Sequence, residues 1–134
     1  MSTSGNNEAD ARIQIDALLR EAGWDPSDKR QVRTEVFTAI QGTESSAVVR
    51  EEPEASQTGR CDYALLDTNG RPLAVIEAKR GGINPYTAKE QALPYAKSIG
   101  APFIFLSNGD VIYFWDYKND DARIVSSFYS RRDL

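Results

Sequence analysis

Histidine is missing from this 134-residue sequence, and cysteine occurs only at Cys61. Without histidine, the chain cannot build a Ser-His-Asp or Cys-His catalytic group or an imidazole-ligated metal site. A single cysteine cannot form an intrachain disulfide or a thiolate cluster for zinc or iron–sulfur, and it suits a reducing compartment. Any metal must therefore be held by oxygen atoms, which favours magnesium, with manganese or calcium as substitutes.

The sequence also lacks the signals of membranes, export and nucleotide binding. No stretch approaches the run of about 20 apolar residues that a spanning helix needs, and the first ten residues have neither a basic nor an apolar segment. We expect a cytoplasmic protein with no membrane partner and with a flexible leader at residues 1–7. No G-x-x-x-x-G-K-[ST] pattern occurs, so we expect no ATP site in this chain.

An excess of positive charge is missing too, since the net charge is −4. This argues against a nucleic-acid binder, because phosphate contacts normally come from surplus lysine and arginine. A bound divalent cation would reverse the local sign of a carboxylate cluster, and a larger parent protein would supply further basic residues. The hydrophobic share of 40% and charged share of 27% are those of an ordinary folded protein.

The hydrophobic periodicity predicts an order of helix, strands, helix, strands in one domain at residues 8–134. A helix packed across a small sheet buries these apolar stripes economically, so we predict an α/β sandwich with a small mixed β-sheet flanked by helices. The predicted elements are a helix at 8–22, a strand or short helix at 31–40, an irregular loop at 42–59, a hairpin of 62–66 and 72–79, a kinked or late-starting helix at 86–99, a hairpin of 103–106 and 111–115, and a final strand at 123–128.

A charged pair ends the most apolar predicted strand. Glu77 and Lys79 are two residues apart, so their side chains leave a strand on the same face. The hairpin returns Asp62, at the predicted start of the preceding strand, towards this end, although the register cannot be read from the sequence. Taken singly, each residue is ordinary, and an E-x-K pair is most often a solvated surface pair. Their conjunction around one hairpin indicates a shared site.

Two carboxylates beside a lysine suit phosphodiester hydrolysis, which needs a cation to neutralise phosphate and activate water, and a positive group near the developing charge. We predict that Asp62 and Glu77 hold the metal and that the backbone carbonyl of Ala78 adds an oxygen ligand. Lys79 would orient or deprotonate the attacking water, or stabilise the charge at phosphorus. These residues are therefore predicted to hydrolyse phosphodiester bonds with the help of a bound magnesium ion.

Three segments carry a family resemblance. They are Arg60-Cys61-Asp62-Tyr63-Ala64-Leu65, Val75-Ile76-Glu77-Ala78-Lys79 and Gln91-Ala92-Leu93-Pro94-Tyr95-Ala96. The first two resemble the PD-(D/E)xK nuclease motifs and the third resembles the adjoining QxxxY motif. More narrowly, nearly the whole chain resembles the N-terminal nuclease domain of the R (restriction, motor-bearing) subunit of type I restriction enzymes. Cys61 stands where the motif has proline, and Pro94 falls inside the third segment.

This resemblance implies a restriction-endonuclease-like sandwich that cleaves double-stranded DNA with magnesium, as a fragment preceding an ATP-dependent translocase. Methyltransferase and specificity subunits would be its partners. It also implies a supporting role for Gln91 and Tyr95 in phosphate contact or catalytic geometry, since residues four apart share a helical face. A glutamate of the first helix assists related nucleases, and the choice between Glu8 and Glu21 stays open.

Lysines and arginines near the predicted site are candidate phosphate contacts. These are Arg80, Lys89 and Lys97. Two alternatives to the restriction nuclease are a catalytically silent module of the same fold that binds DNA or a partner, and a stand-alone restriction or repair nuclease.

Overall fold

The computed structural model of the protein describes residues 8–39 and 58–134. These residues form two α-helices, one 3₁₀ turn and six β-strands. The predicted leader and most of the predicted loop at 42–59 lie outside the described residues. In chain order the elements are α1 (Glu8–Glu21), β1 (Val32–Ala39), β2 (Thr58–Leu66), β3 (Pro72–Ala78), the 3₁₀ turn (Pro85–Ala88), α2 (Lys89–Ile99), β4 (Phe103–Ser107), β5 (Ile112–Trp115) and β6 (Arg123–Val125).

The six strands form one sheet in which the spatial order follows the chain order from β1 to β6. β3 and β4 are parallel, whereas the other neighbouring pairs are antiparallel. Parallel neighbours need a crossover connection, and α2 lies in the segment that joins β3 to β4. The sheet is therefore mixed, as predicted.

The two helices cover opposite faces of this sheet, which confirms the predicted sandwich. Ile15 and Leu19 of α1 are fully buried in one apolar cluster, and Ala92 and Ala96 of α2 are fully buried in another. β3 contributes to both clusters, so the apolar run of this strand is buried on both faces of the sheet. The β3 residues in the first cluster are Ala74, Ile76 and Ala78, and Val75 belongs to the second.

The predicted hairpin between β2 and β3 is present, and its turn fixes the register. Gly70 has φ of +85°, a conformation that glycine adopts without steric cost. The side chain of Asp67 accepts hydrogen bonds from the backbone N–H of Asn69 at 2.9 Å and of Arg71 at 3.2 Å. Further along the hairpin, Tyr63 lies opposite Ile76. The turn thus carries Asp62 back towards the end of β3.

The predicted helix at 86–99 starts late, as one of its two alternatives proposed. A 3₁₀ turn occupies Pro85–Ala88, and α2 runs over Lys89–Ile99 with Pro94 inside it. Gly100 ends α2 with φ of +76° and donates its N–H to Ala96 and Lys97 carbonyls. Neither α1 nor α2, the helices of the described residues, is long and apolar enough to span a membrane.

One predicted element was left open and is now assigned, and two predicted strand limits need correction. The segment left open between strand and helix is the strand β1, because it pairs along β2 from Val32 to Ala39. The same pairing extends β2 back to Thr58, so Asp62 lies within a strand and not at its start, and residues 58–59 are not loop. The final strand ends at Val125, and Phe128 packs into the core beyond it.

Candidate active site

Asp62 lies where β2 and β3 stop pairing as a regular ladder. The pairing runs from the turn as far as Tyr63 opposite Ile76. One position further, Oδ2 of Asp62 accepts the backbone N–H of Ala78 at 2.7 Å. A side chain has therefore taken the place of a strand-to-strand backbone bond, and the carboxylate is held between β2 and the end of β3 with only 1% of the residue's surface exposed.

The path of β2 changes at the same residue. Side chains two positions apart in a regular strand point to the same face. Cys61, however, packs in the cluster on the α2 side of the sheet, whereas Tyr63 packs in the cluster on the α1 side. β2 thus departs from regular alternation at Asp62, which lets this carboxylate reach groups on both β3 and α1.

Arg12 of α1 is the second partner of Asp62, and the sequence analysis missed it. Its guanidinium forms an ion pair with Oδ1 of Asp62 and lies over the ring of Tyr63, 5.7 Å from the centroid. A signal for it exists in the sequence. Arg12 precedes the buried Ile15 and Leu19 by three and seven residues, which places it on the inward face of the helix.

Tyr63 fixes the helix beside this ion pair. Its hydroxyl donates to Oδ1 of Asp16 at 2.8 Å and lies 3.2 Å from the backbone carbonyl of Arg12. Burial raises the pKa of the Tyr63 hydroxyl, and the hydrogen bond to Asp16 raises this pKa further. Tyr63 therefore remains a protonated donor that ties α1 to β2.

Glu77 is the second buried carboxylate, with 4% of its surface exposed. It lies opposite Leu106 of the parallel strand β4, near the end of β3. Because Tyr63 faces Ile76, the next position along the two strands is that of Asp62 and Glu77. The two carboxylates that the sequence analysis selected are thus the first residues beyond the last regular pair of β2 and β3, and their sharing of one site stays a prediction.

Lys79 and Gln91 are joined directly. Nζ of Lys79 donates to Oε1 of Gln91 at 3.3 Å, and the backbone N–H of Lys79 donates to the Ser107 carbonyl at 2.9 Å. Tyr95 lies one helical turn after Gln91 and is 7% exposed, within the apolar cluster on the α2 side. The lysine and the glutamine therefore form one polar group at the end of β3, while Tyr95 packs beneath it.

Comparison with known proteins identifies the family of this chain. The family model of the type I restriction enzyme R protein N terminus matches residues 47–123, more than half of the chain. The chain belongs to this family.

Two relatives match this R-protein N terminus in sequence, and a solved structure matches it in fold. The EcoAI type I restriction enzyme endonuclease subunit of Escherichia coli is 34% identical over 119 residues, which are 87% of this chain. The EcoKI endonuclease subunit of Escherichia coli strain K12 is 28% identical over 100 residues, or 73% of this chain. A solved fragment of a Vibrio vulnificus YJ016 protein, described as an HsdR subunit of a type I restriction enzyme, matches with a TM-score of 0.72 and 26% identity over 96% of this chain.

The matched regions are small parts of these relatives. The chain spans 14% of the EcoAI subunit, 8% of the EcoKI subunit and 24% of the Vibrio vulnificus chain. The restriction-endonuclease-like α/β fold is therefore shared with the N-terminal part of much longer R proteins.

The three cationic side chains that were predicted to contact DNA phosphates differ in their exposure to solvent. Arg80 and Lys97 are exposed. Lys89 is engaged internally: its Nζ lies 2.5 Å from Oδ1 of Asp121 and 3.0 Å from the hydroxyl of Tyr86. It also lies 4.7 Å from the ring centroid of Trp115. The contribution of all three cations to DNA contact stays a prediction.

The two glutamates of α1 lie at opposite ends of the helix. Glu21 is exposed and follows Arg12 by nine residues, which is about 14 Å along an ideal helix. Glu8 begins α1 and precedes Arg12 by four residues, about one turn. Since Arg12 marks the part of α1 that meets Asp62, the backbone geometry favours the Glu8 end for any helix-one carboxylate that assists the site.

Proposed function

We propose that this chain is the metal-dependent endonuclease domain of a type I restriction enzyme R subunit, and that it hydrolyses DNA phosphodiester bonds. The observation that carries the proposal is the burial of two carboxylates, Asp62 within β2 and Glu77 near the end of the neighbouring β3, with Lys79 two residues after Glu77. Carboxylate oxygens are the ligands that Mg²⁺ prefers in proteins, so two of them beside a lysine suit a divalent cation that binds phosphate. The names of the relatives, both endonuclease subunits, agree with it.

The donor set fits Mg²⁺, with Mn²⁺ as a substitute. Within residues 8–39 and 58–134 no group of three or more His, Cys, Asp or Glu side chains is placed to hold a metal. Mg²⁺ typically binds through one or two carboxylates and keeps its other positions for water and substrate phosphate. Asp62, Glu77 and the Ala78 carbonyl would hold the ion, which when bound would neutralise phosphate charge and lower the pKa of a coordinated water.

The neighbouring residues have distinct tasks in this proposal. Lys79 stabilises the charge that develops at phosphorus, or orients or deprotonates the attacking water. Gln91 positions Lys79 through its side-chain oxygen. Tyr95 supports the helix that carries Gln91. Arg80 and Lys97, both exposed, contact phosphates of the DNA backbone without reading its sequence.

The proposal extends to the context of the domain. In a type I R subunit, a translocase part using ATP would deliver double-stranded DNA to this domain in the cytoplasm. Methyltransferase and specificity subunits would choose the DNA. The acidic net charge of −4 favours this division, because the domain alone has little electrostatic attraction for DNA.

The deciding experiment is Mn²⁺ binding, measured by titration calorimetry on the wild-type chain, Asp62→Asn and Glu77→Gln, with plasmid nicking assayed on the same samples. Asp110→Asn is the matched control, because Asp110 is exposed in the β4–β5 turn. We expect both site variants to lose metal binding and nicking, and the control to retain both.

The two readouts separate the alternatives. Metal binding without nicking by the wild type would indicate a nuclease that needs the rest of its R subunit. A wild type that binds no metal, even with DNA present, would overturn the nuclease proposal in favour of a module that binds DNA or a partner. A stand-alone nuclease would instead nick DNA efficiently without other subunits.

A further inference from the structure

The contact between Arg12 and Asp62 places a cation from α1 on the carboxylate that is proposed to bind metal. Asp62 is 1% exposed, and the Arg12 side chain is 25% exposed. One carboxylate oxygen, Oδ2, receives the Ala78 N–H at 2.7 Å, and the other, Oδ1, receives the guanidinium. Both oxygens of Asp62 are thus engaged by groups of the protein itself.

A divalent cation on Asp62 has to share this carboxylate with Arg12. The Ala78 N–H belongs to the strand backbone and keeps its position, so Oδ1 is the oxygen that changes partner. Two like charges on one buried oxygen repel each other strongly, because the interior screens them far less than water does. The guanidinium and the metal are therefore expected to compete.

The Arg12 side chain has solvent beside it into which the guanidinium can move. Its side chain reaches Asp62 from the surface of α1 and keeps a quarter of its area in solvent, unlike the buried residues around it. The backbone of Arg12 is held in place, since its carbonyl lies 3.2 Å from the Tyr63 hydroxyl. A change of side-chain rotamer moves the guanidinium outward without moving the helix.

We propose that Arg12 is an internal counter-ion of Asp62, which holds this carboxylate in place when no metal is bound and is displaced from Oδ1 when the metal binds. The inference rests on the proposed metal site. Arg12 then has two opposite effects: it stabilises the fold and weakens the affinity for metal. A residue with a merely structural role would show the first effect and not the second.

The first test compares Mn²⁺ affinity, by calorimetry, between the wild-type chain, Arg12→Met and Arg12→Lys. We expect Arg12→Met to bind Mn²⁺ at least about fivefold more tightly than wild type, the lower end of usual couplings between competing ligands. Arg12→Lys keeps the charge and should stay closer to wild type. Arg20→Met is the matched control, because Arg20 is an exposed arginine of the same helix, and its affinity should not change.

The second test uses thermal unfolding in EDTA and needs no metal site. Arg12→Met leaves a buried carboxylate without its cation, so its melting temperature should fall by about 10 °C or more. The double variant Arg12→Met/Asp62→Asn should be less destabilised than the sum of its two single variants, since both members of the pair are then removed. Additive effects would mean that the two residues are not paired, and would overturn the proposal.

The outcomes distinguish this inference from the proposed function. Tighter Mn²⁺ binding by Arg12→Met supports the counter-ion role, even where wild-type binding is too weak to measure. Equal or weaker binding by Arg12→Met, with clear binding by wild type, overturns the counter-ion role and leaves the metal site intact. Absence of binding in every variant, with each still folded, overturns both, because no metal then competes for Asp62.

Discussion

Lys79 at the end of β3 and Gln91 in the first turn of α2 are joined by a hydrogen bond of 3.3 Å between Nζ and Oε1. The residues are 12 positions apart in the chain, and the segment between them forms the crossover that the parallel pair β3–β4 requires. The crossover that makes β3 and β4 parallel neighbours therefore also carries the residue that orients the Lys79 side chain. Each partner of this contact can be tested by its own substitution.

Replacing Lys79 with methionine should abolish most DNA cleavage without unfolding the protein. The methionine keeps the apolar stem and removes the charge near the phosphate, and loss of one such stabilising group typically costs about 10²–10³-fold in rate. Lys79 is half-buried, so the free energy of unfolding should change by less than about 1 kcal/mol. Plasmid nicking with Mn²⁺ and denaturant unfolding measure the two effects. Lys118→Met, in an exposed turn, is the control, and equal nicking by both variants would contradict the role of Lys79.

Gln91 should matter through its side-chain oxygen. Gln91→Ala removes the acceptor of the Lys79 hydrogen bond, and loss of such a positioning contact commonly lowers activity about 10-fold or more. Gln91→Glu keeps an acceptor at the same place and should retain most nicking. Glu90→Gln, at an exposed neighbouring position, should behave as wild type. If Gln91→Glu were as inactive as Gln91→Ala, the bond to Lys79 would not explain the role of this residue.

Local chemistry made much of this domain predictable. The Asn-Gly turn and the apolar run of β3 specify the hairpin through neighbours in the chain, and the stripe of α2 requires only its own periodicity. The prediction that Asp62 and Glu77 share a site used only the return of one hairpin strand along the other, without the register. These predictions needed no information about distant contacts.

The parts that were missed depend on contacts between distant segments. β1 was ambiguous because its strand character comes from pairing with β2, where Val32 lies opposite Leu65. Arg12 contacts Asp62 across 50 residues, and a charged residue on a helix is most often solvated. The regular pairing of β2 with β3 ends at Tyr63, and beyond it the Asp62 carboxylate accepts the Ala78 N–H, which no local sequence pattern reports.

Gly109 should tolerate substitution poorly. Its φ is +89°, and a Cβ at this position would lie 3.1 Å from Cβ of Gln14 and 3.2 Å from the Ala11 carbonyl of α1. Gly109→Ala is expected to lower the free energy of unfolding by about 2–3 kcal/mol, since it adds a steric conflict to the backbone cost of about 1–2 kcal/mol. Denaturant unfolding measures it.

Substitution of a second glycine separates the steric cost from the backbone cost. Gly70 has φ of +85°, and a Cβ added to it would meet nothing within 4 Å, so Gly70→Ala should show the backbone cost alone. An equal loss in the free energy of unfolding for Gly70→Ala and Gly109→Ala would mean that α1 does not pack closely against the turn between β4 and β5.

The ion pair between the largely buried Lys89 and the exposed Asp121 should make a pH-dependent contribution to stability. The hydrogen bond from Lys89 lowers the pKa of the Asp121 carboxyl, with further contributions from the Ala122 N–H and the Tyr86 hydroxyl. A carboxyl whose pKa is lower in the folded than in the unfolded protein stabilises the fold above the unfolded value of about 3.9. This stabilisation is lost as the pH falls through the folded value.

Asp121→Asn should therefore reduce the free energy of unfolding at pH 7 more than Asp120→Asn does, and the gap should narrow as the pH falls below about 3.9. Asp120 is the adjacent exposed carboxylate, so both variants change the net charge equally and any difference reflects the contacts of Asp121 with Lys89, the Ala122 N–H and the Tyr86 hydroxyl. Denaturant unfolding at low salt, repeated at several pH values, measures the gap. Equal free energies of unfolding for the two variants at pH 7 would show that the ion pair with Asp121 does not stabilise the fold. The Lys89 ammonium would then be available for the predicted contact with DNA phosphate.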